Sequence, residues 1–120
     1  MALNIATWNI NSVRLRVDLV CKVLKNYEVD LLCLQECKSP VEKIPLDIFS
    51  EIGFSHMVAR GQKGYNGVAI ISKFPLKEKS ALDFAGLGHA RHICAELENK
   101  LLIHNFYVPA GGDEPDRRKN

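Results

Sequence analysis

Two residues invite a chemical reading before any element is assigned, Asn9 and Glu36. Glu36 closes the run Leu32-Cys33-Leu34-Gln35-Glu36, where four residues with the look of a buried strand lead straight into a carboxylate. An unpaired carboxylate is costly to bury, so the strand must deliver it to a rim or to partners. Asn9 closes the earlier run Leu3 to Ile10 in the same way. A carboxylate at the rim of a core, held by neighbouring dipoles, is a good ligand for a hard cation. The competing reading makes Glu36 a strand cap in solvent and Asn9 a turn residue. Their position at matching ends of two strands favours a site.

The other candidates are weaker. Cys21, Cys33, Cys37 and Cys94 form no CxxC pair and no disulfide-scaffold spacing, and three of them lie among aliphatic residues. They read as buried thiols in a reducing compartment, the cytoplasm. A zinc site from Cys33, Cys37 and a histidine is disfavoured by that spacing. The net charge of +2 over 120 residues gives no bulk signal for nucleic acid, so local basic clusters would have to supply one. No basic leader precedes an apolar segment and no apolar run is long enough to span a bilayer, which predicts neither signal peptide nor membrane partner. With 47% hydrophobic and 25% charged residues, the chain falls in the range of ordinary globular domains.

The elements that must position these residues follow from periodicity. Leu3 to Ile10 reads as a strand with apolar residues on both faces. Leu15, Leu19, Val20, Val23, Leu24 and Tyr27 recur at helical spacing, with Asn11 and Ser12 as candidate N-caps. Val29 to Gln35 is a near-continuous apolar run, as in a strand buried on both faces. Strand, helix and strand with short links make a βαβ unit with parallel strands. Ligands of such sheets bind beyond the carboxyl ends of the strands, which is where Asn9 and Glu36 stand. Pro45 opens a short helix carrying Leu46, Ile48, Phe49 and Ile52, closed by Gly53. Short strands at 55–59 and 68–72 flank a turn with Gly61, Gly64, Asn66 and Gly67, and strands at 91–97 and 101–108 flank Glu98-Asn99-Lys100. The expected class is α/β, one mixed sheet with helices on one face. The final stretch GGDEPDRRKN reads as loop.

The stretches ATWNINSVRLR, DLLCLQECK, GYNGVAIISK, ARHICAEL and NFYVPAGG together resemble, in order and spacing, the N-terminal half of the exonuclease III family of apurinic/apyrimidinic endonucleases. That family sits within the wider endonuclease/exonuclease/phosphatase superfamily. The likeness runs from about residue 3 to residue 120. It implies the N-terminal half of a DNase I-like, four-layered α/β sandwich over residues 1–120, with the C-terminal half of the domain lying outside this sequence. It implies a DNA-repair nuclease that uses Mg²⁺, with Mn²⁺ as an alternative, to cut duplex DNA 5′ to abasic sites and to trim 3′ ends. Carried over by position, Asn9 matches a residue beside the metal and the phosphate, Glu36 the metal-binding carboxylate, and Tyr107 a tyrosine lying against the target phosphate. Asn11 takes a supporting polar role, while Arg14, Lys38 and Asn66 fall in loops that approach DNA. Without the resemblance, Tyr107 reads as an edge aromatic and Arg14 and Lys38 as solvated charges.

The resemblance also shows what this sequence lacks. The family's Asp-x-Asn motif and terminal Asp-His pair have no counterpart here. Asp113 and Asp116 stand in the final loop, and His56, His89, His92 and His104 do not match the family histidine. Cys37 replaces a common Thr, and Ala110 replaces a common Asn or Gln. The whole protein is expected to be a monomeric enzyme and the 120 residues alone to be inactive. The alternatives are a non-catalytic half-fold used for binding or assembly, and a superfamily phosphodiesterase with another substrate. Because helices cover one sheet face only, the isolated chain is expected to expose the other and to self-associate.

Overall fold

The computed structural model describes residues 2–80 and 90–108. The elements run β1 (Ile5–Asn9), a 3-10 turn (Arg14–Arg16), α1 (Val17–Asn26), β2 (Leu31–Gln35), a 3-10 turn (Val41–Lys43), α2 (Leu46–Ser50), β3 (His56–Arg60), β4 (Val68–Ser72), β5 (Lys77–Ser80), β6 (His92–Glu96) and β7 (Leu102–Phe106).

The βαβ unit forms as its periodicity requires. β1 and β2 pair in parallel, with Ile5 opposite Leu31 and Asn9 opposite Gln35. β4 then pairs antiparallel with both β2 and β3, giving a mixed sheet in the order β1-β2-β4-β3. Val20 and Leu24 of α1 and Phe49 of α2 press on one face of it, against Leu32, Leu34, Ala69 and Ile71. Each fully buried aliphatic or aromatic side chain there contributes about 1.5–3 kcal/mol. α1 starts later than the sequence suggests. Its N-cap is Arg16, with no side-chain cap, and the Ser12 hydroxyl instead accepts from the Leu15 amide at 3.4 Å within the preceding turn. Asn11 and Ser12 therefore shape the entry to the 3-10 turn and do not cap the helix.

The single sheet of the sequence reading needs correction. The hairpin of β6 and β7, joined by β5, leaves the mixed sheet and forms a second, antiparallel sheet in the order β5-β6-β7. Ile93, Ala95 and Ile103 pack against Leu31, Cys33, Val58, Val68 and Ile70, the side of the first sheet that the helices do not cover. The reason is burial. β2 and β4 are apolar on both faces, and the hairpin supplies the cover for the second face. Among the described residues the chain thus has three layers, helices on sheet on sheet, and the second sheet covers the face of the first that the helices leave. β5 was invisible to periodicity because Lys77-Glu78-Lys79-Ser80 is a polar edge strand.

β1 departs from expectation too. Only Ala6 and Trp8 pack on the helix-side core, while Ile5 on the other face is 46% exposed. β1 and β7 are edge strands. Between them opens a cleft of about 460 Å³ lined by Ile5, Thr7, Gln35, Leu102, His104 and Phe106, among others.

Candidate functional site

The strand ends meet at one rim. After β1 the chain keeps pairing with the segment that follows β2, through Ile10 N to Gln35 O at 3.0 Å, Ser12 N to Glu36 O at 2.8 Å and Val13 N to Cys37 O at 3.0 Å. On its other side that segment bonds the loop before β4, through Cys37 N to Gly67 O at 3.0 Å and Lys38 N to Asn66 O at 2.8 Å. The approach is close. A Cβ on Gly67, which has φ +96, would lie 3.2 Å from the Cys37 Cβ and the Lys38 nitrogen.

Three strands of chain packed this tightly must turn sharply. Asn11, Ser12, Glu36, Lys38 and Asn66 all take positive φ. For residues other than glycine that conformation costs on the order of 1 kcal/mol each, less for asparagine. The left-handed turn at Glu36 settles the paradox of a core strand ending on a carboxylate. β2 is buried throughout, and the turn swings Glu36 out to a half-buried position while Cys37 returns to the core.

At the rim the Asn9 amide Nδ2 donates to Glu36 Oε2 at 2.8 Å. The Tyr107 side chain, arriving from the end of β7, also hydrogen-bonds the Glu36 carboxylate. Lys38 Nζ lies 3.7 Å from Glu36 Oε1 and donates to Asn11 Oδ1 at 2.6 Å. The Asn9 bond holds the Glu36 carboxyl below the usual carboxylate range, desolvation works against it, and Tyr107 and Lys38 reinforce the depression. Glu36 is thus an anion at neutral pH, oriented by neutral donors and one ammonium.

Asn9, Asn11, Glu36, Lys38 and Tyr107, proposed from sequence, therefore lie together. Arg14 sits nearby on the exposed 3-10 turn, whose entry is tied down by Arg16 donating to the Asn11 carbonyl. Asn66 does not fit the role of a DNA contact. It is 7% exposed, its Nδ2 donates to Gln62 at 2.9 Å, and its Oδ1 accepts from Arg91 Nε at 3.4 Å. Its amide is engaged inward, and it serves the site by holding the Lys38 backbone. Cys33 and Cys37 face opposite sides of the sheet and cannot share a metal. Burial pushes their thiols up to about 11 and about 12, so neither is a thiolate at neutral pH. His56 pairs opposite Ser72 at the far end of the sheet, while His92 and His104 stack on each other beside Phe106 on the second sheet. His89, Ala110, Asp113 and Asp116 lie outside the described residues.

Sequence reasoning gave no role to Gln35 and Asn105, although both stood inside quoted motifs. Gln35 Nε2 donates to Asn105 Oδ1 at 2.7 Å and to Thr7 Oγ1 at 2.9 Å. The usable signal was Gln35 closing the otherwise apolar β2; in β7, Asn105 stands beside His104 and gave no such contrast.

Among the described residues no group of three His, Cys, Asp or Glu side chains is arranged to hold a metal. The rim offers one carboxylate and the Asn9 amide oxygen. Such a sparse set of hard oxygen donors suits Mg²⁺, which commonly keeps several waters and binds through one or two carboxylates plus substrate phosphate.

Residues 6–119 match the sequence pattern of the Endonuclease/Exonuclease/phosphatase family. Exodeoxyribonuclease III of Haemophilus influenzae is 32% identical over 117 residues, covering 88% of this chain and 41% of that protein. An AP endonuclease structure from Archaeoglobus fulgidus superposes with a TM-score of 0.83 at 37% identity, over 98% of this chain and 46% of its own. A Neisseria 3′ phosphatase bound to a product DNA hairpin gives a TM-score of 0.83 at 32% identity, over 98% of this chain and 47% of its own. The chain spans less than half the length of these relatives. Among the described residues no helix is long and apolar enough to cross a membrane.

Proposed function

The chain belongs to the endonuclease/exonuclease/phosphatase family, and from that premise we propose that it forms the N-terminal half of a Mg²⁺-dependent nuclease of the exonuclease III type. The substrate in this reading is duplex DNA, cut 5′ to abasic sites and trimmed at 3′ ends. The observation that carries the proposal is the Glu36 carboxylate, gripped by Asn9 and Tyr107 at the mouth between two sheets. The names of the relatives, a DNA exonuclease, an AP endonuclease and a 3′ phosphatase on a DNA hairpin, support the substrate class.

Glu36 and the Asn9 oxygen would hold Mg²⁺ or Mn²⁺, which supplies charge stabilisation for phosphodiester hydrolysis. Asn9 keeps one carboxylate oxygen directed by its own Nδ2. Tyr107 presents a hydroxyl donor where a phosphate oxygen gathers charge, a contact that counts most in the transition state. Lys38, now paired with Glu36 and Asn11, and Arg14 on its turn offer cations to the DNA backbone. The water-aligning and proton-transferring groups lie outside this chain, so the 120 residues alone do not turn over in this reading. β1 and β7 are the edges to which the rest of the domain would add, completing a monomer. Four free cysteines, three of them buried, suit a reducing cytoplasm.

Glu36→Gln, made in the complete polypeptide that carries this chain, keeps the shape and removes the charge. Cleavage of abasic-site duplex at low Mg²⁺ should fall about 10²-fold, of the order seen when one positioned electrostatic contact is lost, and recover in part as Mg²⁺ is raised. An unchanged Mg²⁺ dependence would remove Glu36 from the metal site. The likeness to a 3′ phosphatase favours a second reading, hydrolysis of 3′-phosphate ends. A 3′-phosphate hairpin assayed beside the abasic duplex separates the two.

A further inference from the structure

We infer that Gln35 and Asn105 are positioning residues, a buried amide clasp that sets Glu36 of the first sheet against Tyr107 of the second. The inference rests on the proposed nuclease site and adds the device that assembles it. Glu36 and Tyr107 come from different sheets, and what lies between those sheets is mostly Ile93, Ala95, Ile103 and their apolar neighbours. Such packing is non-directional and by itself names no single register between the sheets. Hydrogen bonds fix direction as well as distance.

Asn105 is 2% exposed and uses three of its four bonding positions across the sheet interface. Its Nδ2 donates to Leu34 O at 2.9 Å and to Ala69 O at 2.9 Å, reaching both β2 and β4. Its Oδ1 accepts from Gln35 Nε2 at 2.7 Å. Gln35, 8% exposed, also donates to Thr7 Oγ1 on β1 at 2.9 Å. One amide pair therefore fastens β1, β2, β4 and β7 together. The levers are short, since Gln35 precedes Glu36 directly and Asn105 stands two residues before Tyr107. A further bond, Tyr107 N to Arg91 O at 2.8 Å, fixes the exit of β7. A valine or leucine would fill the space at either position. Two buried amides make a rigid register instead.

The test compares Asn105→Leu with Ile103→Ala, which opens a hole in the same inter-sheet core on the same strand without touching the clasp. In the complete polypeptide, Asn105→Leu should lower kcat on abasic duplex by about 10-fold or more, as loss of an orienting partner does, with KM little changed. Ile103→Ala should cost more in melting temperature and leave kcat within about twofold at a temperature where it is folded. Equal kcat losses in both, or a rise in KM alone for Asn105→Leu, would overturn the clasp. An arm independent of activity uses NMR of the 120-residue chain. The Asn9 side-chain amide and Tyr107 ring signals should shift in Asn105→Leu and stay in place in Ile103→Ala, and the reverse overturns the inference. If Asn105→Leu does not fold, Gln35→Met carries the same two readouts. If the unaltered complete polypeptide cleaves neither DNA substrate, the nuclease reading fails while the NMR arm still decides the clasp.

Discussion

On the helix side of the first sheet, Leu32, Leu34, Ala69 and Ile71 meet Val20, Leu24, Phe49 and Phe54. On the side facing the second sheet, the alternating residues Leu31, Cys33, Val68 and Ile70 meet Ile93, Ala95 and Ile103, and the layer ends on Gln35 and Asn105. The same strands build both. The helix side carries the larger rings and the greater depth of burial. The inter-sheet side must hold two strand ends, Glu36 and Tyr107, in register. Stability and site geometry are thus divided between the two faces of one sheet.

The largest expected effect tests the helix side. Phe49→Ala should lower unfolding stability by about 3–5 kcal/mol in denaturant titration, the cost of a ring-sized cavity. A loss under about 1 kcal/mol would mean that the helices are loosely seated and the division is misdrawn. Next, Tyr107→Phe on the inter-sheet side should do the opposite. It should reduce cleavage by the complete polypeptide at least about 10-fold, while stability changes by about 1 kcal/mol or less, the worth of one hydrogen bond. A large stability loss with intact turnover would break the comparison.

A subtler contrast separates central strands from edges. Amide exchange in the isolated chain should protect 31–35 and 68–72 strongly, because β2 and β4 are buried along their whole length. The edges β1 and β7, with Ile5, Leu102 and Phe106 each 45–48% exposed, should exchange faster and gain protection when the remainder of the domain is added in trans. Uniform protection of all four would show that the cleft is closed by some other means.

The smallest effect concerns pH. Burial lowers the His92 pKa from its ordinary value near 6.5, with His104 and then Arg60 adding to the effect. The unfolded chain therefore takes up a proton in a window below about pH 6.5 that the folded chain refuses. Stability from this group is complete above that pH and is lost as pH falls through the depressed value. His92→Gln should flatten the fall in melting temperature between about pH 6.5 and 5. An unchanged slope would assign it to other groups.

What the sequence made legible follows the same division. β2, β4 and both helices announced themselves because burial on a helix face or on both strand faces imposes a periodicity. Glu36 stood out because a carboxylate contradicts its run. β5 was missed because a polar edge strand has no period to read, and the second sheet was missed because a hairpin carries no mark of which sheet it will join. Asn66 was misread because turn chemistry does not say whether the amide faces in or out. Gln35 and Asn105 lie 70 residues apart, and nothing local to either names its partner. Tyr107 was found through family resemblance alone.

That separation of 70 residues also orders events in time. The β1–α1–β2 unit can collapse from neighbouring segments, and helices and short loops close in microseconds or less. The clasp can form only when β7 has been made and has docked, since both of its amides need the completed interface. During synthesis from the N-terminus, Asn9 and Glu36 are therefore made well before Tyr107 and stand without a fixed register until it arrives. The rim gains its Tyr107 contact and its register together, as the last described strand seats. Mutations at Asn105 should accordingly speed unfolding and leave the folding rate nearly untouched.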